Sequence, residues 1–214
     1  MTDHLPTKYR DLVYQKECLE EALATLPDDE QVRVHEAIIY AEDAHGMQTR
    51  DDGDPYVIHV IRAARTLIED LNCLDADMII STLLHDVVED ATYVTNSDHS
   101  TYTINHNPPH TFPMIEERFG ARVAEFVRAL TQDKGVETKQ AYIERIIAGP
   151  REVRLMKAAD KLDNVRSLAL REDRGERWQR HIWEAETLHI ALAESTGEDY
   201  FVVEMHKALK AVLD

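Results

Sequence analysis

Three short segments hold the side chains best suited to chemistry. The first is Leu83-Leu84-His85-Asp86-Val87-Val88-Glu89-Asp90. Asp86, Glu89 and Asp90 stand three and four residues apart, so on a helix they share one face. Like charges at that spacing repel each other. A divalent cation would offset the repulsion. A solvated helix end is the alternative, and the apolar residues on either side argue against it. His85 is displaced by one residue, about 100° around the helix.

The second segment is Tyr56-Val57-Ile58-His59-Val60-Ile61. A lone histidine among apolar residues is more often a satisfied core residue than a ligand, and on this segment alone His59 reads as the former. The third is Leu155 to Val165, in which Leu155, Ala159, Leu162 and Val165 draw an apolar stripe and Asp160, Asn164 and Ser167 form a polar strip beside it. Asp160 could pair with Lys157 or Lys161 on a wet face. The Ala158-Ala159 pair suits a close helix contact and points to a packed interior instead. Taken together, His59, His85, Asp86 and Asp160 are two imidazoles and two carboxylates from three helices. Such nitrogen and oxygen donors suit Mn²⁺, Fe²⁺ or Zn²⁺. Without a cysteine ligand the set does not resemble a closed structural zinc site. An ion held there would lower the pKa of water and polarise a phosphoryl oxygen. Glu89 and Asp90 would orient the attacking water and manage its proton.

These segments need helices to carry them, and apolar spacing is helical nearly throughout. It predicts helices over Tyr9–Leu26, Val32–His45, Val57–Leu71, Asp75–Glu89, Gly120–Thr131 and Lys139–Ala148. A long helix starts near Pro150 and reaches about Leu170, and Arg177–Glu194 and Asp199–Leu213 close the chain. No alternating β-branched run is long enough to demand a sheet. The expectation is an all-α bundle of about eight to ten helices in a single domain, residues 1–214. Thr92 to Pro113 is the exception: a long polar loop, open to a short hairpin at Thr101-Tyr102-Thr103-Ile104, with His99, His106 and His110 as solvent-exposed loop histidines.

Composition bounds the function. The net charge of −17 argues against nucleic-acid binding, which rests on many cationic contacts to phosphate. No apolar run reaches the ~20 residues of a membrane helix, and Met1 to Leu12 carries four charged residues and no apolar leader core. Two cysteines, Cys18 and Cys73, form no CxxC pair. The expected location is the cytoplasm. Oligomeric state is not legible.

Arg50 followed by Gly53-Asp54-Pro55-Tyr56-Val57-Ile58-His59, the His85-Asp86 segment, Phe119-Gly120, Leu130-Thr131-Gln132-Asp133-Lys134, and Lys157 to Arg166 stand in one order along the chain. This ordered set resembles the hydrolase domain of RelA/SpoT homologues, and more narrowly the stand-alone small alarmone hydrolases, from about His35 to about Leu192. The resemblance implies an HD fold and one Mn²⁺ bound by His59, His85, Asp86 and Asp160. It implies catalytic roles for Glu89 and Asp90. It further implies hydrolysis of the 3′-pyrophosphate of (p)ppGpp-type alarmones, or their adenosine counterparts. Arg50 matches an arginine that lies against the nucleobase, Asn164 a residue near the nucleoside, and Lys134 a phosphate-facing lysine. Arg180 is placed near phosphate only by its rough position. Other HD phosphohydrolases and a non-catalytic nucleotide sensor are the alternative readings.

Three features depart from the family pattern. Asp51 stands where a lysine is common, which reverses charge beside the expected nucleotide pocket. The segment from Thr92 to Pro113 is longer than the usual link. No synthetase domain follows before Asp214, so the expectation is degradation of alarmones without synthesis.

Overall fold

A computed structural model describes residues 5–89, 93–95, 102–104 and 110–213. The chain divides into two compact units, one up to Thr131 and one from Gln132. Both are helical, as the spacing predicts.

In the first unit, α1 (Leu5–Tyr9) and α2 (Leu12–Leu23) replace the single helix expected over 9–26. The break has a local cause: the Asp11 carboxylate accepts the Tyr14 backbone N–H and so starts a new helix. Next comes α3 (Asp28–His45), four residues longer at its start than its apolar pattern. Asp28, Asp29 and Glu30 fill its first turn, where negative charge offsets the helix dipole.

Helix α4 (Val57–Arg65) runs into one π turn (Thr66–Asp70) before the chain reverses. Helix α5 (Ala76–Leu84) is capped by the Asp75 carboxylate, which accepts the N–H groups of Asp77 and Met78. It packs against α3, α4 and, beyond the hairpin, the helix at 121–130. Ile79, Ile80, Leu83 and Leu84 have no solvent exposure. Burying each such side chain stabilises the fold by roughly 1.5–3 kcal/mol, so α5 is the mast of this unit. The helix predicted to run to Glu89 stops at Leu84. His85–Glu89 continues as tighter turns, with the Val87 N–H on the Leu84 carbonyl at 3.1 Å.

Strands β1 (Tyr93–Thr95) and β2 (Tyr102–Ile104) pair antiparallel, Val94 opposite Thr103. The stretch expected as a long loop therefore holds a hairpin. Its far end is already helical, because α6 (Phe112–Phe119) begins before Pro113, a first-turn proline. The apolar reading missed α6. Helix α7 (Ala121–Leu130) follows Gly120, whose φ of 95° is a turn only glycine enters freely.

The second unit holds α8 (Lys139–Ala148), α9 (Arg151–Leu168), α10 (Glu176–Glu184), a π turn (Ala185–His189), α11 (Ile190–Ser195) and α12 (Asp199–Leu213). Helix α9 is its centre and packs against α8, α10, α11 and α12. It is buried nearly all round despite a polar sequence: Lys157, Asp160, Lys161, Asp163 and Ser167 are all sealed from solvent. The described helices thus number twelve, above the expected eight to ten, because two expected helices are each interrupted and α6 was not expected.

Candidate metal centre

The loop between α3 and α4 sets up the site. Gly46 ends α3 with φ 48°. The chain then pinches shut: Tyr56 N–H donates to the Gln48 carbonyl at 2.9 Å, Arg50 N–H to the Asp54 carbonyl at 2.8 Å, and Thr49 bridges Pro55. Gly53 N–H returns to the Arg50 carbonyl at 2.9 Å, and φ of 85° at Gly53 completes the turn. Arg10 pins the loop from outside, reaching Asp54 Oδ1 at 2.8 Å and the Asp52 carbonyl at 2.9 Å. This closure brings Tyr56 onto His45, with ring centroids 4.5 Å apart and planes within 20°.

His59 stands one turn beyond Tyr56 on α4, and His85 and Asp86 follow the last residue of α5. The α4–α5 contact brings them together. One donor atom from each of His59, His85 and Asp86 lies within 4.8 Å of the others, and all three residues are buried. His59 is therefore no isolated core histidine. Asp86 Oδ2 lies 3.1 Å from His85 Nε2 and 3.8 Å from His59 Nε2. The Tyr56 hydroxyl donates to the same Asp86 oxygen at 2.7 Å.

His85 is oriented by backbone. Its Nδ1 lies 2.8 Å from the Thr82 carbonyl. A carbonyl only accepts, so Nδ1 carries a proton, and Nε2 is the nitrogen that faces Asp86, with a lone pair whenever the ring holds that one proton alone. A lone pair and a carboxylate oxygen 3.1 Å apart repel unless a second proton or a cation lies between them. The donor set therefore fits a divalent metal ion, with one ring already held by an outer partner as metal-bound histidines usually are.

His45 is nearly sealed from solvent, and burial pushes its pKa down to about 4. The bond to Gln48 and the Asp86 charge oppose that shift, while His85 and His59 add to it. Near neutral pH it is an uncharged ring beside the three donors, adding no positive charge next to a cation. Neither His45 nor Tyr56 was singled out for a role from sequence. Tyr56 had a signal: it stands three residues before His59, on the same helix face.

The other expected site residues lie as follows. Glu89 is half-buried at the end of the described stretch, and Asp90 falls outside the described residues. The Arg50 guanidinium carbon sits 6.0 Å from the Tyr56 ring centre. Asp51 is exposed, and so are Lys134 and Arg180. His99 and His106 fall outside the described residues. His110 departs from the expected exposed loop histidine: it is half-buried, with Nδ1 2.7 Å from the Tyr40 hydroxyl, and burial lowers its pKa.

In the second unit, Asp160 is buried. Oδ2 meets Lys157 Nζ at 2.6 Å and Lys161 Nζ at 3.1 Å, and Oδ1 accepts from Asn164 Nδ2 at 2.6 Å. The wet-face pairing considered from sequence has the right partners and the wrong solvent. Lys139, on α8, has its pKa lowered to about 8 by the Lys161 charge first and burial second. His189, at the end of the π turn, is fully buried, and neither ring nitrogen has a hydrogen-bond partner among the described residues. Burial and the neighbouring lysines hold its pKa well below the ordinary histidine value.

Residues 37–197 match the HD domain family. The chain belongs to that family. Within it, the chain is 33% identical over 158 residues to a Drosophila melanogaster protein named guanosine-3′,5′-bis(diphosphate) 3′-pyrophosphohydrolase MESH1, covering 72% of this chain and 77% of that protein. It is 31% identical over 206 residues to the Escherichia coli bifunctional (p)ppGpp synthase/hydrolase SpoT, covering 91% of this chain. The match spans only 26% of SpoT's length. The fold is similar to the solved structure of a metazoan SpoT orthologue described as hydrolysing ppGpp and acting in starvation responses. That likeness has a TM-score of 0.65 at 26% identity and covers 83% of this chain and 94% of that one. Among the described residues, no helix is long and apolar enough to cross a membrane.

Proposed function

We propose that this protein is a Mn²⁺-dependent pyrophosphohydrolase that removes the 3′-pyrophosphate of (p)ppGpp-type alarmones, releasing pyrophosphate and GDP or GTP. The observation that carries the reading is the buried His59–His85–Asp86 cluster, in a chain of the family whose members include MESH1 and SpoT. Asp160 is the fourth ligand in this reading, on the strength of the Lys157 to Arg166 sequence match. A single HD domain is proposed to run through both compact units, because the family match at 37–197 crosses their boundary.

When bound, the ion supplies an acidified water and polarises a phosphoryl oxygen. The protein's own residues do the rest. The Thr82 carbonyl and Tyr56 hydroxyl fix His85 and Asp86 before any ligand arrives. Glu89 and Asp90 orient water and take its proton. Arg50, half-buried beside Tyr56, presents a flat cation to the nucleobase, while Lys134 meets phosphate and Asn164 the nucleoside. The nucleotide is a small-molecule substrate, and a cytoplasmic site of action goes with it. Guanosine is the favoured base, with Asp51 beside Arg50 as the residue that could admit adenosine.

Incubating the purified protein with Mn²⁺ and either ppGpp or ppApp, then separating products, tests the reading. Pyrophosphate and the 5′-diphosphate are expected, faster from ppGpp. Inorganic phosphate without pyrophosphate would overturn it and favour a different HD phosphohydrolase.

A further inference from the structure

The Tyr56 side chain touches two things of different kinds. Its hydroxyl donates to Asp86 Oδ2, the carboxylate oxygen nearest both histidine nitrogens. Its ring stacks on His45 and stands 6.0 Å from the Arg50 guanidinium carbon. Neither contact depends on flexible chain, because the Tyr56 N–H is tied to Gln48 and Tyr56 already has helical backbone angles at the start of α4.

A carboxylate oxygen offers two lone pairs. The phenol O–H occupies one of those on Asp86 Oδ2 and leaves the other toward His59 and His85. Without the phenol, Asp86 loses the hydrogen bond that favours presenting Oδ2 over its other oxygen. We infer that Tyr56 is a positioning residue for the metal centre: its hydroxyl locks Asp86 in the ligating rotamer, and its ring ties that rotamer to the loop bearing Arg50. This rests on the His59–His85–Asp86 reading of the centre. Partners of this kind, one bond removed from a metal, typically govern affinity by roughly 10–100-fold. The ring contact adds a direct path from the loop expected to meet the nucleobase to a carboxylate expected to meet the metal.

Tyr56→Phe separates the two parts, since it keeps the ring and deletes only the hydroxyl. Mn²⁺ affinity of the full chain is measured by the electron paramagnetic resonance signal of free Mn²⁺ and by thermal unfolding of the metal-free protein. The expected result is a Mn²⁺ dissociation constant raised roughly 10–100-fold, with the metal-free melting temperature nearly unchanged. Turnover should recover at saturating Mn²⁺. An unchanged Mn²⁺ affinity in Tyr56→Phe would overturn the inference. So would a turnover loss that saturating metal does not restore, which would place the hydroxyl in the reaction itself. Asp86→Ala is run in parallel. If it binds Mn²⁺ like the wild type, the centre has been misread; if it loses Mn²⁺ while Tyr56→Phe keeps it, only the role of Tyr56 fails.

Discussion

Lys157 Nζ lies 2.6 Å from Asp160 Oδ2, one turn away on α9, with both side chains almost wholly removed from solvent. Lys161 shares that same oxygen at 3.1 Å. One carboxylate oxygen thus pairs with two buried ammonium groups. Removing the carboxylate takes a close counter-charge from both, whereas removing Lys157 leaves Asp160 with Lys161 and Asn164. Asp160→Ala should cost about 3–5 kcal/mol, the usual penalty for removing one partner of a buried ion pair, and Lys157→Met clearly less. Urea unfolding of the metal-free variants checks this, and equal costs would contradict it.

Mn²⁺ should stabilise the wild type, and Asp86→Ala should abolish that gain. A ligand at one hundred times its dissociation constant stabilises a fold by about 2.7 kcal/mol. The variant should show almost none of that gain in a melting experiment with and without Mn²⁺. A full metal-induced shift in Asp86→Ala would remove this residue from the ligand set.

Glu89→Gln keeps shape and deletes a base. It should bind Mn²⁺ normally yet lose turnover by on the order of 10²–10⁴-fold, the range for a missing acid–base group. Mn²⁺ titration and steady-state rates on ppGpp read the two effects separately. Loss of both together would make Glu89 a ligand.

His45 predicts acid sensitivity. Its pKa is about 4 in the fold against 6.5 in its absence. The unfolded chain therefore binds a proton that the folded one refuses, and stability falls as pH drops from about 6.5 toward 4. The full effect is about 3 kcal/mol. Asp86 faces His45 favourably and His85 and His59 unfavourably, with Gln48 bonded to the ring. His45→Gln should flatten the urea-measured stability profile over that window relative to the wild type. The buried His189 contributes in the same direction, so some slope should persist.

Much of this was legible in the chain. Helices α8 and α12 fall where apolar spacing puts them, and α4, α7 and α9 differ mainly at their ends. The meeting of His59 with His85 and Asp86 was legible as a donor set. Local hydrogen bonds hid the rest. A carboxylate at Asp11 split one predicted helix, and Pro113 began another inside a polar stretch. The Ala158-Ala159 pair already pointed to a packed α9, but burial as far as Lys157 and Lys161 was not legible, because lysines read as surface residues unless their pairing with Asp160 is seen. The supporting roles of Tyr56 and His45 depend on loop closure between residues 46 and 56, which no periodicity records.

The two proposed ligands that follow α5, His85 and Asp86, differ in vulnerability. Asp86 depends on a phenol, which a single codon change can delete. His85 leans on the Thr82 main-chain carbonyl, an atom every amino acid supplies. Random mutagenesis should therefore erode this centre from the Asp86 side, while the tautomer of His85 survives any replacement at position 82 that leaves the helix standing.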